Sequence, residues 1–266
     1  METGHGHKHK MLVCLCEFMG TALFLFGIIQ TCIPITIPIS LLASVVIWGD
    51  ITGGHFNPAV TIGVFTQLGD YGKNFLFMIM IIVSQILGGF FAMGLAFLGN
   101  YHKPDTMVPV LAPMNMTYDP VGPDDATKNA GGEYGYDLNV VINEILCTFI
   151  FVSVILMVKG EHTAGERTGV SAAIAVVMTL MCCIGGTNKL GACFNPAVGL
   201  TLTTNSIVML GSAHFRYHYL YAYTLGPALG GLCAGLFHIF HREHHKPSSK
   251  HISYDSNTKV DNLHDY

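Results

Sequence analysis

The feature that most constrains this chain is a five-residue sequence that occurs twice. Phe-Asn-Pro-Ala-Val stands at 56–60 within GGHFNPAVT and again at 194–198 within GACFNPAVGLT. Asn is a preferred N-cap residue and Pro is favoured at the first helical position, so each copy predicts the start of a helix. The repeat therefore predicts two short helices at equivalent positions of a duplicated chain.

Apolar segments place this repeat in a membrane. Charged residues make up 11% of the 266 residues, whereas soluble domains contain roughly 25%. A helix needs about 20 apolar residues to cross a bilayer. Four segments are long enough, namely 11–33, 75–99, 138–158 and 218–240. Two shorter apolar segments, 35–49 and 169–186, each precede an Asn-Pro-Ala. The sequence predicts an all-α membrane protein.

The order of these segments predicts two inverted halves. Each half runs helix, short helix, Asn-Pro-Ala segment, helix, which gives three membrane helices per half. Because successive membrane helices alternate in direction, an odd number inverts the second half relative to the first. We expect six transmembrane helices plus two re-entrant half-helices in an inverted 3+3 repeat. The expected boundaries are a cytoplasmic N-tail at 1–10, a membrane domain at 11–240 with repeats at about 11–99 and 138–240, an outer loop at about 100–137, and a disordered cytoplasmic C-tail at 241–266.

The distribution of positive charge predicts the orientation. With both termini in the cytoplasm, the inner segments hold nine of the 13 Lys and Arg residues, which agrees with the positive-inside rule. The inner set is Lys8, Lys10, Lys73, Lys159, Arg167, Arg242, Lys246, Lys250 and Lys259. This orientation puts Asn115-Met116-Thr117, a glycosylation sequence, in the outer loop.

The two predicted helix starts define a candidate pore centre. In an inverted repeat the half-helices enter from opposite sides, so their N-termini meet near the midplane, each carrying roughly +0.5 of an elementary charge. Such a centre suits a neutral hydrogen-bonding molecule and repels cations. The residues expected there are Asn57, Pro58, Ala59, Asn195, Pro196 and Ala197. The loop backbone expected to line the pore with carbonyl groups is that of Gly53, Gly54, His55, Phe56, Gly191, Cys193 and Phe194.

These motifs resemble those of the aquaporin, or major intrinsic protein, family over about residues 11 to 240. The resemblance rests on both Asn-Pro-Ala segments, SQILGG, GPALGG and the helix-opening Glu17 and Glu144. It implies a passive channel for water and small neutral solutes that assembles as a homotetramer and needs no cofactor. It also implies that both glutamates are buried and brace the re-entrant loops, with His55 helping to brace the first.

One position departs from the family pattern. Most members have Arg directly after the second Asn-Pro-Ala, where this chain has Val198, and family glycerol channels have Asp where it has Gly199. When the filter positions are counted from the two asparagines, the resemblance implies an apolar outer filter without Arg. Its members are Ile37, Cys183, Ala192 and Val198. Three outcomes stay open: conduction of water with glycerol, urea or ammonia, conduction of water alone, or poor conduction with a structural role at a junction.

Other classes of function fit the sequence less well. The sequence shows no nucleophile, base and orienting residue at a recognisable spacing, so an enzyme is improbable. It also lacks a basic stripe with interleaved aromatic residues, which argues against nucleic-acid binding. The cysteines lack metal-ligand spacing, so we expect no metal.

A gate or phosphorylation site is a hypothesis for His162, Thr163, Thr168, Ser248 and Ser249. The expected location is the plasma membrane or an intracellular vesicle membrane.

Overall fold

The computed structural model of the protein describes residues 4–31, 33–69, 71–100, 132–159, 170–186, 193–210 and 220–244. These residues form eight α-helices and no strand. The helices are α1 (Gly4–Thr31), α2 (Thr36–Thr52), α3 (Pro58–Leu68), α4 (Tyr71–Gly99), α5 (Gly132–Lys159), α6 (Val170–Gly186), α7 (Pro196–Leu210) and α8 (Leu220–His244). The predicted all-helical fold is confirmed.

Six of these helices are membrane helices and two are half-helices. In the part of the chain that is described, four helical spans are long and apolar enough to cross a membrane: Lys8–Thr31, Tyr71–Gly99, Leu138–Val158 and Leu220–His244. Helices α2 and α6 have 17 residues each, which at a rise of 1.5 Å per residue is about 26 Å, close to the thickness of the hydrocarbon core. Helices α3 and α7 are shorter and begin at the two Asn-Pro-Ala prolines.

Several helices extend beyond their apolar segments. Helix α1 begins at Gly4 rather than at residue 11, so most of the expected N-terminal tail is helical. Helix α5 begins at Gly132 rather than 138, and α8 continues to His244. Hydropathy marks only the part of a helix inside the bilayer, whereas the backbone hydrogen bonds continue through polar residues outside it. The Lys10 ammonium, 5.7 Å from the centre of the Phe77 ring, ties the start of α1 to α4.

The helix packing repeats between the halves. Helix α1 packs against α2 and α4, and α5 packs in the same way against α6 and α8. Both half-helices contact α4 and α8, the last helix of each half. Glycines permit the close approaches, as small residues do in membrane proteins: a Cβ on Gly88 of α4 would collide with the Phe18 carbonyl of α1, and one on Gly231 of α8 with the Ala59 carbonyl of α3.

We predict that Gly88→Ala destabilises the protein, whereas Gly94→Ala in the same helix does not. A Cβ at Gly88 meets backbone, while one at Gly94 meets nothing within 4 Å. Overpacking costs about 1–3 kcal/mol, and replacing an exposed helical glycine by alanine stabilises by up to about 1 kcal/mol. Thermal unfolding in detergent measures both effects. Equal midpoints for the two variants would contradict the close contact between α1 and α4.

Candidate functional site

Each half-helix is capped by the asparagine of its motif. The Asn57 side-chain oxygen accepts a hydrogen bond from the Ala59 N–H at 2.8 Å, and the Asn195 oxygen accepts from the Ala197 N–H at 2.9 Å. The proline between them occupies the first helical position, where its missing N–H costs nothing. The cap fixes each amide oxygen on its own helix, so the amide nitrogen points away from it.

The two amide nitrogens reach across to the opposite half of the protein. Asn57 Nδ2 donates to the Phe194 carbonyl at 2.8 Å, and Asn195 Nδ2 donates to the Phe56 carbonyl at 3.0 Å. The N-termini of α3 and α7 therefore meet, and both asparagines are buried. Because a primary amide nitrogen carries two hydrogens, each asparagine has one N–H beyond the one used in this reciprocal pair.

The two phenylalanines adopt a left-handed backbone conformation. Phe56 has φ 48° and Phe194 has φ 53°, the only positive φ values of non-glycine residues in the described ranges. This conformation costs about 1–2 kcal/mol for a residue with a Cβ. Both rings are fully buried, which offsets part of that cost. In this conformation the two carbonyls accept the asparagine bonds across the molecule.

A buried carboxylate holds each strained loop. Glu17 of α1 accepts from the His55 N–H at 3.0 Å and from the Phe56 N–H at 2.8 Å. Glu144 of α5 accepts from the Cys193 N–H at 3.0 Å and from the Phe194 N–H at 2.8 Å. Both glutamates are 0% exposed. Charge-assisted bonds of this kind are roughly twice as strong as neutral ones, so each carboxylate stabilises the conformation of its loop.

The first half contains a further polar network that sequence reasoning missed. Gln85 Nε2 of α4 donates to Glu17 at 2.8 Å and to the Thr61 hydroxyl at 2.9 Å, while the His55 ring nitrogen lies 3.2 Å from the same hydroxyl. In the second half, Gly199 occupies the position equivalent to Thr61 and lies in close contact with the Tyr223 backbone. Gln85 lies in the SQILGG segment already noted, but nothing in one sequence connects that segment with Glu17.

The residues of the expected outer filter are only partly described. Cys183 and Val198 belong to the main buried apolar cluster, and Ile37 packs against it. The Cys183 thiol contacts the Cys147 carbonyl of α5 at 3.6 Å. Gly53 and Gly54 have positive φ values of 83° and 65°, which supports the turn before the first motif. The following candidates lie outside the described residues: Asn115, His162, Thr163, Thr168, Gly191, Ala192, Ser248 and Ser249.

The comparison with protein families decides the identity of this arrangement. The family model described as Major intrinsic protein matches residues 7–238. The chain belongs to the major intrinsic protein family. Members of this family are membrane channels and not enzymes. The buried carboxylates of this major intrinsic protein are therefore parts of a channel scaffold, and the chain is a multi-pass integral membrane protein.

The named relatives of this major intrinsic protein include aquaporins. Aquaporin-8 of Mus musculus is 28% identical over 237 residues, which is 84% of this chain and 79% of the relative. Aquaporin-8 of Rattus norvegicus is 29% identical over 237 residues, which is 84% of this chain and 78% of the relative. The X-ray structure of the aquaglyceroporin from Plasmodium falciparum superposes with a TM-score of 0.61 at 17% identity, covering 86% of this chain and 96% of that chain. This likeness shows a common fold.

We predict that Glu144→Gln destabilises the protein much more than Glu243→Gln. An amide presents one acceptor where the carboxylate presents two, so one loop N–H loses its partner, at a cost of about 1.5–3 kcal/mol. Glu243 is exposed in the last turn of α8, which makes it the matched control. Thermal unfolding in detergent measures the difference. If both variants unfold at the same temperature, Glu144 does not brace the second loop.

Proposed function

We propose that the protein is a passive channel for water and small neutral solutes such as glycerol, urea and ammonia, and that it excludes protons and cations at the paired half-helix N-termini. The observation that carries this proposal is the reciprocal pair of hydrogen bonds between Asn57, Asn195 and the opposite phenylalanine carbonyls. This pair brings two positive helix ends together with two amide donors at one point.

The physical chemistry of this centre favours neutral solutes. Each helix N-terminus contributes roughly +0.5 of an elementary charge, which raises the energy of a cation and of hydronium at the meeting point. The remaining N–H of each asparagine donates to the oxygen of a passing molecule. A water molecule that accepts hydrogen bonds from both asparagines points its hydrogens away from the centre. This orientation interrupts proton transfer along a chain of water molecules.

The outer filter is proposed to consist of Ile37, Cys183, Ala192 and Val198. None of these side chains carries a charge or a strong hydrogen-bond donor. A filter without Arg loses a fixed positive charge and a bulky guanidinium group, so it presents a weaker barrier to solutes larger than water. Passage of glycerol and urea alongside water is the consequence that we propose.

A second candidate function is a structural role at a junction between membranes or cells, with little conduction. The observation that favours it is the burial of the expected filter, because Val198 is only 4% exposed and Cys183 only 7%. A narrow apolar constriction blocks permeation when water leaves it. Water permeability at the level of protein-free vesicles, measured on stably assembled protein, would favour this function over the channel.

The assembly and orientation are also proposals. The exposed apolar side chains of α2, such as Val46 and Ile47, need lipid or another subunit, which supports insertion in a bilayer and a homotetramer. We place both termini in the cytoplasm, because the charged last turn of α8, with His241, Arg242 and His244, then lies on the positive side. The membrane is proposed to be the plasma membrane or that of an intracellular vesicle.

We predict that Val198→Arg lowers glycerol permeability at least tenfold, equivalent to about 1.4 kcal/mol, while water permeability persists. A guanidinium group narrows the filter and adds N–H hydrogen-bond donors. Water accepts hydrogen bonds from these donors more easily than larger solutes such as glycerol do. Stopped-flow light scattering on proteoliposomes under water and glycerol gradients measures both permeabilities. Val198→Leu adds bulk without charge and is the matched control. Absence of glycerol flux in both the unmodified protein and the Arg variant would rule out a wide filter.

A further inference from the structure

The same helix crossing occurs in both halves of the protein with different side chains. Where α1 and α2 cross, the Ser44 hydroxyl donates to the Gly20 carbonyl at 2.9 Å. Where α5 and α6 cross, the Cys183 thiol donates to the Cys147 carbonyl at 3.6 Å. Gly20 follows Glu17 by three residues, as Cys147 follows Glu144, while Ser44 and Cys183 lie 13 and 12 residues before the asparagine of their motif, so the two contacts occupy closely similar places in the repeat.

Packing alone does not require two cysteines at this crossing. A serine and a glycine make the same contact in the first half, with Ser44 fully buried. In the second half both positions carry cysteines: the Cys183 thiol donates to the Cys147 carbonyl at 3.6 Å, and the Cys147 thiol donates to the Asn143 side-chain oxygen, also at 3.6 Å. Both cysteines are free, Cys183 buried and Cys147 half-buried. The Cys183 sulfur thus lies against Cys147 on the neighbouring helix, and this closeness of two cysteines is the first geometric condition for a disulfide.

We propose that Cys147 and Cys183 are a site of reversible disulfide formation by a peroxide, which ties α5 to α6 beside the outer constriction. The effect on permeation rests on the proposed channel function, because Cys183 is there a filter residue. Hydrogen peroxide is neutral, hydrogen-bonding and little larger than water, so the proposed pore is its route to the two thiols.

The chemistry balances with hydrogen peroxide as the oxidant. One thiol loses its proton, and the thiolate attacks a peroxide oxygen; the O–O bond breaks, and the departing hydroxide takes the proton to give water and a sulfenic acid. The second thiolate then attacks the sulfenic sulfur, the S–S bond forms, and the S–O bond breaks. The leaving hydroxide takes the second proton. Two thiols and one peroxide thus give one disulfide and two waters, with the sulfurs oxidised by two electrons and the peroxide oxygens reduced.

The disulfide changes the wall of the proposed filter. Both thiol hydrogens disappear, and with them the donor on the Cys183 side chain, which leaves a filter of wholly apolar side chains. The covalent bond also fixes α6 against α5 at a separation shorter than that of two thiols in contact. Both changes lower water permeability, and we expect a decrease of at least twofold that a dithiol reductant reverses.

The test uses the full chain in proteoliposomes treated with hydrogen peroxide, with and without later dithiothreitol. Mass spectrometry of peptides prepared without reduction identifies the linked cysteines, and stopped-flow light scattering gives the water permeability. Cys147→Ser removes one partner. The double variant Cys147→Gly, Cys183→Ser copies the crossing of the first half. Cys182→Ser, which changes the exposed neighbour, is the matched control.

We expect a Cys147–Cys183 linked peptide and a reversible loss of water permeability in the unmodified protein and in the Cys182 variant, and neither in the other two variants. A missing linked peptide, a linked peptide with unchanged or increased permeability, or inhibition that persists in the Cys147 variant would overturn the proposal. If untreated vesicles pass water only at the rate of protein-free ones, the proposed channel function fails, and the peptide result alone decides the disulfide.

Discussion

The structure depends on the bonds between two buried carboxylates and the backbone of two loops at membrane depth. Non-helical backbone survives inside a bilayer only where its polar groups find partners. Glu17 and Glu144 supply those partners to two consecutive N–H groups each, including that of a phenylalanine in a left-handed conformation. Without them, neither loop could present its carbonyl to the opposite asparagine, and the ends of α3 and α7 would not be held together.

The two halves reach the same geometry by different means. In the first half Gln85 joins Glu17 to Thr61 through hydrogen bonds. In the second half Gly199 lies directly against the Tyr223 backbone, so close packing replaces the polar network. The reciprocal asparagine bonds are nevertheless nearly equal in length. A duplicated fold thus preserves the contacts at its centre while the surrounding residues diverge, and the contact of the Cys183 thiol with the Cys147 carbonyl is one of the divergent contacts.

The sequence predicted the elements better than their ends or their cross-links. Apolar length and the Asn-Pro pair located the six membrane helices and both half-helices, because these signals are local. The early start of α1 at Gly4 was not predictable from hydropathy, which is silent outside the bilayer. The left-handed conformation of Phe56 and Phe194, and the bond of Gln85 to Glu17, were not predictable either. Each depends on residues brought together from distant parts of the chain.

The central claim is that two helix N-termini and two amide donors pass neutral molecules while excluding protons. The most direct measurement is water and proton flux in the same proteoliposomes, with light scattering for volume and an enclosed pH-sensitive dye for protons. The account predicts water permeability well above that of protein-free vesicles, with proton flux equal to theirs. Proton flux that increases in proportion to the amount of reconstituted protein would contradict the account.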